Sequence, residues 1–170
     1  MTEQAIEAGN VQYREITQIN EIMPLIRLID TCFSPTMDQD GRDYLESLRK
    51  FVQRTIASGM TYPGLIPLPM QGIFCRYDGE VIGNLTFIPF LREPVKRYLI
   101  ANVCVKEPYR GKGIGEKLTK MGIAKLKSLG CDEIWLHVRT DNQTAIQLYL
   151  QNGFEIQHTR TSWVQRNSGS

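Results

Sequence analysis

The segment Val103–Leu118 reads VCVKEPYRGKGIGEKL, and it joins the end of an apolar strand to a glycine-rich turn and the start of a helix. Gly111, Gly113 and Gly115 lack a Cβ atom, so the backbone of the turn can come close to a ligand. The first N–H groups of a helix have no intrahelical partner and lie at the positive end of the helix dipole. Phosphate groups bind at such helix starts. The segment therefore predicts an anion-binding site.

The charge around this turn also favours an anionic ligand. Between Arg110 and Lys127 the chain carries six basic residues and one acidic residue, whereas the whole chain has a formal net charge of +2. Two common phosphate motifs are excluded: Glu116 replaces the last glycine of a dinucleotide-binding G-x-G-x-x-G, and the nucleoside-triphosphate motif G-x-x-x-x-G-K-S/T does not occur here. The remaining pattern is R-x-x-G-x-G, formed by Arg110, Gly113 and Gly115.

The rest of the chain predicts one α/β domain spanning residues 1–170, with weakly ordered ends at 1–10 and 165–170. Apolar residues at helical spacing indicate two helices at the start, the second closed by Gly59. Asp78-Gly79-Glu80 lies between two apolar runs, as in a β-hairpin. The expected later elements are a strand at Arg97–Val105, a helix from about Gly113 to Leu129, a strand at Glu133–Val138, a helix from about Asn142 to Leu150, and a last strand from near Phe154. This order predicts a mixed sheet covered on both faces.

Composition excludes several classes of protein. Of the 170 residues, 20 are basic and 18 acidic, and this balance argues against a nucleic-acid partner. The four cysteines form no C-x-x-C pair and only two histidines are present, so we expect neither a metal site nor disulfides. The start of the chain shows no secretory signal, and three prolines interrupt the uncharged stretch Thr55–Cys75. We therefore expect a cytoplasmic protein without a membrane span.

The chain resembles the GNAT superfamily of acetyl-CoA-dependent N-acetyltransferases. Besides the R-x-x-G-x-G turn, it contains LHVRTDNQTAIQLYLQNGF at residues 136–154, which is similar to the second cofactor motif of that family. The matching positions are Asn142, Ala145, Tyr149, Gly153 and Phe154. The resemblance runs from Gly72 to Thr161 and is closest to enzymes that acetylate protein amino termini and ribosomal proteins. It implies a mostly antiparallel central sheet whose fourth and fifth strands splay apart to hold acetyl-CoA.

The resemblance also implies the residues that bind acetyl-CoA. Main-chain N–H groups of the turn are expected to hold the coenzyme A pyrophosphate. The turn consists of Arg110, Gly111, Lys112, Gly113, Ile114, Gly115 and Glu116. The backbone of Val103, Cys104 and Val105 is expected to pair with the pantetheine arm, as an added strand does. Asn142 is expected to hold the cofactor from the following helix.

The reaction implied by the resemblance is direct attack of a neutral amine on the thioester carbonyl. The protein must remove a proton, stabilise the oxyanion and protonate the sulfur. Tyr149 matches the acid that serves the sulfur, and a backbone N–H near Val105 is the expected oxyanion donor. His137 matches the base, and its reference pKa suits that role. The alternatives are a core aromatic for Tyr149 and a structural strand histidine for His137. Cys104 is interpreted as a packed thiol.

The acceptor is the least specified part of this interpretation. The motif resemblance favours the α-amine of a protein or peptide. A small amine, such as a polyamine, amino acid or aminoglycoside, is the alternative within the same class. A module that binds acyl-CoA without turnover is the alternative from another class. Only a short stretch follows Ser162, so the last strand is expected to be abbreviated, supplied by a partner chain or trimmed. We expect a monomer or a homodimer.

Overall fold

The structure, a computed structural model, describes residues 11–59, 68–90 and 95–157. The expected weak order at 1–10 and 165–170, and most of the proline-rich stretch, lie outside the described residues. Residues 154–157 form neither a helix nor a strand, and the rest of the expected last strand also lies outside the described residues.

The described residues form five strands and four α-helices. The strands are β1 (Gln12–Glu15), β2 (Gln71–Tyr77), β3 (Glu80–Pro89), β4 (Arg97–Val105) and β5 (Glu133–Leu136). The helices are α1 (Ile22–Phe33), α2 (Gln39–Ala57), α3 (Ile114–Ser128) and α4 (Gln143–Gln151). The sequence did not predict β1, and β5 ends at Leu136 instead of Val138, so His137 follows the strand.

Local signals explain the elements that the sequence did predict. Asp38 begins α2 by accepting a hydrogen bond from the Gly41 N–H at 2.9 Å. After α2 ends, Gly59 adopts a positive φ of 64°, which is the usual glycine stop of a helix. Asp78 and Gly79 both have positive φ, at 49° and 79°. That pair of left-handed residues is typical of the type I′ turn that joins β2 to β3.

The sheet has the order β1-β2-β3-β4-β5 within the described part of the chain. The first four strands are antiparallel, and β5 pairs with β4 in parallel. Helices cover both faces. On one face Phe74 of β2 packs in a core cluster with residues of α1 and α2. On the other face α3 lies close to β3, where a Cβ atom at Gly83 would lie 3.0 Å from Leu118 Cδ1.

The chain divides into two compact units, Met1–His137 and Val138–Ser170. The first contains the whole sheet with α1, α2 and α3, and the second contains α4. Each unit is described by itself below. The prediction of a single domain over residues 1–170 stays a prediction.

Candidate functional site

The glycine turn, defined here as residues 110–116, leads from β4 into α3. Gly111 and Gly113 have positive φ values of 73° and 75°, which L side chains rarely adopt. Gly113 begins α3, and no side chain caps it. Among the described residues, nothing lies within 4 Å of a Cβ atom built at either glycine. At Gly115 such an atom would meet Val105 Cγ2 at 3.8 Å. The first N–H groups of α3 therefore adjoin space that a phosphate group can fill.

The chain just before the glycine turn is fastened to the β2–β3 hairpin. A short 3-10 helix, Glu107–Tyr109, links β4 to the turn. The Tyr109 hydroxyl donates to Glu80 Oε2 at 3.3 Å, and Lys106 forms an ion pair with the same carboxylate. The hydrogen bond from Lys106 lowers the pKa of Glu80, so this carboxylate stays ionised. The Tyr109 ring also lies 5.8 Å from the Tyr77 ring.

The charged residues of the glycine turn and of the first part of α3 differ in their surroundings. Lys112 and Glu116 are exposed. Glu116 forms an ion pair with Lys120, at 2.6 Å between Oε1 and Nζ. Lys117 lies over the Tyr13 ring, with its Nζ 4.4 Å from the ring centroid. Burial raises the pKa of Tyr13 to about 12, so the ring beneath this ammonium is a neutral phenol. Glu116 is therefore matched locally by a lysine, and the region keeps its positive character.

Two thiols and a guanidinium meet at the end of β4. The Arg110 Nε donates to the Val105 carbonyl oxygen at 2.9 Å, and the Cys32 Sγ lies 3.9 Å from that same oxygen. A hydrogen bond with the Cys104 thiol, helped by the positive charge of Arg110, lowers the pKa of Cys32 to about 7. The same hydrogen bond and burial raise the pKa of Cys104 well above its usual value. Cys104 is thus a buried protonated thiol, and Cys32 carries the thiolate character of the pair.

Strand β4 has an open edge, defined here as residues 101–105. Its parallel pairing with β5 ends at Ile100, opposite Leu136, although β4 continues to Val105. In the described ranges no strand takes over on that side. β4 therefore continues past the end of its pairing with β5, in line with the splayed strands that the sequence resemblance implies. An extended ligand carrying amide groups can add to such an edge through main-chain hydrogen bonds.

A β-bulge interrupts this edge, and the sequence did not predict it. Asn84 is opposite Cys104 but Thr86 is opposite Ala101, so β4 has one more residue than β3 between these pairs. Asn102 lies at the bulge with a positive φ of 52°. The signal in the sequence was the pair of asparagines, Asn84 and Asn102, inside two apolar strand segments.

Three polar side chains surround the bulge. Asn84 Nδ2 donates to the Asn102 carbonyl oxygen and to Thr86 Oγ1, both at 3.1 Å. The Asn102 side-chain amide also reaches Thr86 Oγ1 at 3.5 Å. Asn84 is fully buried, and its Oδ1 has no hydrogen-bond partner within the described structure.

The remaining predicted residues are the last residue of the first unit and two residues of the second unit. His137 is the exposed last residue of the first unit. In the second unit, the Asn142 side chain caps α4 by accepting from the Ala145 N–H at 3.2 Å. Tyr149 is 8% exposed, and its ring packs edge-on against Phe154 with the centroids 5.9 Å apart. The structure therefore brings together the predicted residues of β4 and the glycine turn. For His137, Asn142 and Tyr149 it shows the surroundings of each within its own unit.

Within residues 11–59, 68–90 and 95–157, no three His, Cys, Asp or Glu side chains lie together in a way that could hold a metal ion. None of the helices in these ranges is both long and apolar enough to cross a membrane.

The fold and the glycine turn define a class of protein. Residues 33–154 match the model of the Acetyltransferase (GNAT) family, and the chain belongs to that family. The family consists of acetyltransferases, and its known members include N-acetyltransferase enzymes.

Individual relatives of known name are also acetyltransferases. The chain is 38% identical over 118 residues to N-alpha-acetyltransferase MAK3 of Arabidopsis thaliana, a match covering 67% of this chain and 62% of that protein. It is 40% identical over 57 residues to the mycothiol acetyltransferase of Corynebacterium jeikeium (strain K411), covering 34% of this chain and 16% of that protein. The chain thus spans less than two thirds of the length of these curated relatives.

Solved structures share the fold. A ribosomal-protein-alanine N-acetyltransferase from Brucella melitensis biovar Abortus 2308 superposes with a TM-score of 0.62 at 17% identity, covering 89% of this chain and 96% of that chain. An aminoglycoside N-acetyltransferase in complex with CoA superposes with a TM-score of 0.63 at 14% identity, covering 92% and 95%. At these identities the likeness is one of fold alone.

Proposed function

We propose that the chain is an acetyl-CoA-dependent N-acetyltransferase that transfers the acetyl group directly to a primary amine. The observation that carries this proposal is the continuity of the open edge of β4 with the glycine turn. An edge that accepts amide groups leads within a few residues to a helix start that accepts phosphates. Pantetheine joined to a pyrophosphate has this same order of groups.

The residues of the first unit fit such a ligand. The main-chain N–H groups at Gly113, Ile114 and Gly115 would hold the pyrophosphate. A Cβ atom on Gly113 or Gly115 would project into the space proposed for this group. Arg110 and Lys112 would supply positive charge at the turn. The backbone of Val103, Cys104 and Val105 would bind the pantetheine amides. We further propose that Asn142 contacts the cofactor from the start of α4.

The chemical step needs an oxyanion donor as well as an acid and a base. The bulge at Asn102 interrupts the regular spacing of N–H groups along the open edge. An N–H group at the bulge is therefore out of step with the groups that would pair with the pantetheine amides. We propose that this bulge, which lies just before Val105 in the chain, supplies the donor to the thioester carbonyl. Tyr149 would protonate the departing sulfur, and His137 would remove a proton from the amine. A thioester held in this way needs no covalent enzyme intermediate.

For the acceptor we propose the α-amine of a protein or peptide. The similarity to N-alpha-acetyltransferase MAK3 over two thirds of the chain supports this choice. A small amine is the second candidate, since the chain also resembles a mycothiol acetyltransferase and has the fold of an aminoglycoside N-acetyltransferase. Such an enzyme would work in the cytoplasm, where acetyl-CoA and newly made amino termini are both present.

The test is thiol release from acetyl-CoA with a panel of peptides that differ in their first residue, together with small amines. Release with one peptide class is expected, and release only with a small amine would replace the acceptor. Tight binding of acetyl-CoA without release in any reaction would favour a binding module. Tyr149→Phe keeps the ring that packs on Phe154, so it should lower kcat while leaving CoA affinity within about twofold. A wild-type kcat would remove Tyr149 as the acid.

A further inference from the structure

We infer that Asn84, on the neighbouring strand β3, is a positioning residue that holds the β4 bulge in the geometry required to polarise the acetyl thioester. This inference rests on the proposed function and deepens it. The observation that supports it is that the buried side-chain amide of Asn84 is hydrogen-bonded to the main chain of β4 at the bulge.

The hydrogen bond fixes the direction of one peptide group. Asn84 Nδ2 donates to the carbonyl oxygen of Asn102 at 3.1 Å, so this carbonyl points toward Asn84. In a trans peptide the carbonyl and the following N–H point in opposite directions. The N–H of Val103 therefore points away from Asn84 and toward the open edge, on the side where β5 pairs with the earlier residues of β4. Asn84 would thus aim a main-chain donor without touching the substrate.

The backbone at this point needs outside support. A non-glycine residue with φ of 52° is sterically disfavoured, and asparagine tolerates this region better than most residues. Thr86 Oγ1 accepts from both asparagine side chains and so joins the two strands across the bulge. Of these contacts, the one from Asn84 Nδ2 reaches the main chain of the bulge, whereas Thr86 contacts the two asparagine side chains.

The orientation of the Asn84 side chain is also determined. Rotating its amide by 180° would turn Oδ1 toward the Asn102 oxygen, placing two acceptors face to face. The observed orientation instead leaves Oδ1 buried with no partner among the residues described. A buried acceptor without a partner is unfavourable. This cost is consistent with a role for Asn84 that depends on the bond from its Nδ2 to the Asn102 carbonyl oxygen.

The experiment follows the thioester carbonyl directly. The ¹³C chemical shift of [1-¹³C]acetyl-CoA is measured free and bound to the full chain without an acceptor, and the Kd of CoA is measured by calorimetry. A donor to the carbonyl should move the bound signal downfield in the wild type. In Asn84→Leu, which has similar size but no donor, this shift should be largely lost while the Kd of CoA changes by less than about twofold. With an acceptor, kcat should fall by about tenfold to a hundredfold.

Two further variants keep the inference falsifiable. Thr86→Val removes the nearby hydroxyl but leaves the Asn84–Asn102 bond, so it should keep most of the carbonyl shift. Asn84→Asp presents a carboxyl group of nearly the same shape, for use if Asn84→Leu does not fold. Its carbonyl shift should be weak at high pH and recover as the introduced group becomes protonated and can donate again.

Each outcome separates the inference from the proposed function. A wild-type shift retained in Asn84→Leu would overturn the positioning role alone, as would an equal loss in Thr86→Val. Loss of CoA affinity together with the shift would show a general structural role instead. A wild-type chain that binds no CoA would overturn the proposed function, and this inference with it.

Discussion

The Arg110 Nε atom donates a hydrogen bond to the carbonyl oxygen of Val105 at 2.9 Å. The first residue of the R-x-x-G-x-G pattern is therefore bonded to the last residue of β4. This bond joins the segment proposed to hold the pantetheine arm to the segment proposed to hold the pyrophosphate. A guanidinium can make it while keeping its charge and its other N–H groups available for an anion.

Replacing Arg110 by lysine tests this double role. Arg110→Lys keeps the positive charge but lacks the guanidinium Nε that bonds to Val105, so we expect CoA affinity to fall about tenfold. Calorimetric titration with CoA measures the change. Arg54→Lys on the exposed side of α2 is the matched control and should bind CoA as the wild type does. Wild-type affinity in Arg110→Lys would mean that only the charge matters.

Two glycine variants separate backbone strain from ligand space. Gly113→Ala forces a side chain into a left-handed conformation and should cost about 1–2 kcal/mol of stability. Gly115→Ala lies inside α3 with only an ordinary contact to Val105, and it should be neutral or stabilising by up to about 1 kcal/mol. Both should weaken CoA binding, because each adds a Cβ near the proposed phosphate site. Thermal unfolding and CoA titration measure the two effects. Loss of affinity confined to Gly113→Ala would indicate strain alone.

The thiol pair predicts a specific pH dependence of alkylation. The thiolate is the reactive form, and the pKa of Cys32 is lowered to about 7, so its iodoacetamide labelling should rise with pH and reach half its maximum near pH 7. Cys104, whose pKa is raised, should stay unlabelled in the folded protein. Peptide mass spectrometry after timed labelling follows both sites. Arg110→Lys moves the positive charge and removes the guanidinium, which helps to lower the pKa of Cys32. The pH at half-maximal labelling of Cys32 should therefore rise in this variant. A midpoint near that of an unperturbed thiol in the wild type would contradict the hydrogen bond between Cys32 and Cys104 that lowers the pKa.

Asn142 allows its capping role to be separated from a cofactor role. Asn142→Ala removes the acceptor for the Ala145 N–H and should cost about 0.5–2 kcal/mol. Asn142→Asp keeps an acceptor and so should retain the stability of α4. If the amide also donates to the cofactor, Asn142→Asp should bind CoA more weakly although its unfolding temperature is unchanged. Equal CoA affinity in the wild type and Asn142→Asp would leave Asn142 as a helix cap only.

The parts of the fold that sequence predicted are those with local signals. The hairpin at Asp78-Gly79 and the turn at Gly111 and Gly113 require positive φ, and glycine marks such positions within a few residues. Amphipathic spacing likewise predicted α1, α2 and α3. The family resemblance added the splaying of β4 and β5, and the register shows that their pairing ends at Ile100 although β4 continues to Val105.

The parts that sequence missed depend on contacts between distant segments. The short strand β1 is polar and mostly exposed, so it shows no apolar alternation and forms only by pairing with β2. The bulge at Asn102 is defined by register against β3, and RYLIANVCV alone looks like an uninterrupted buried strand. The meeting of Cys32 with Cys104 depends on how α1 packs on the sheet.

The open edge of β4 also has a consequence for the protein without its ligand. Unpaired N–H and C=O groups along a strand edge are a template for a strand of another molecule, and natural proteins usually block such edges with charges, prolines or a covering segment. Residues 101–105 carry no charge and no proline. A bound pantetheine arm would act as the missing neighbour and prevent edge-to-edge self-association. The proposed cosubstrate would then also keep the molecules apart in solution.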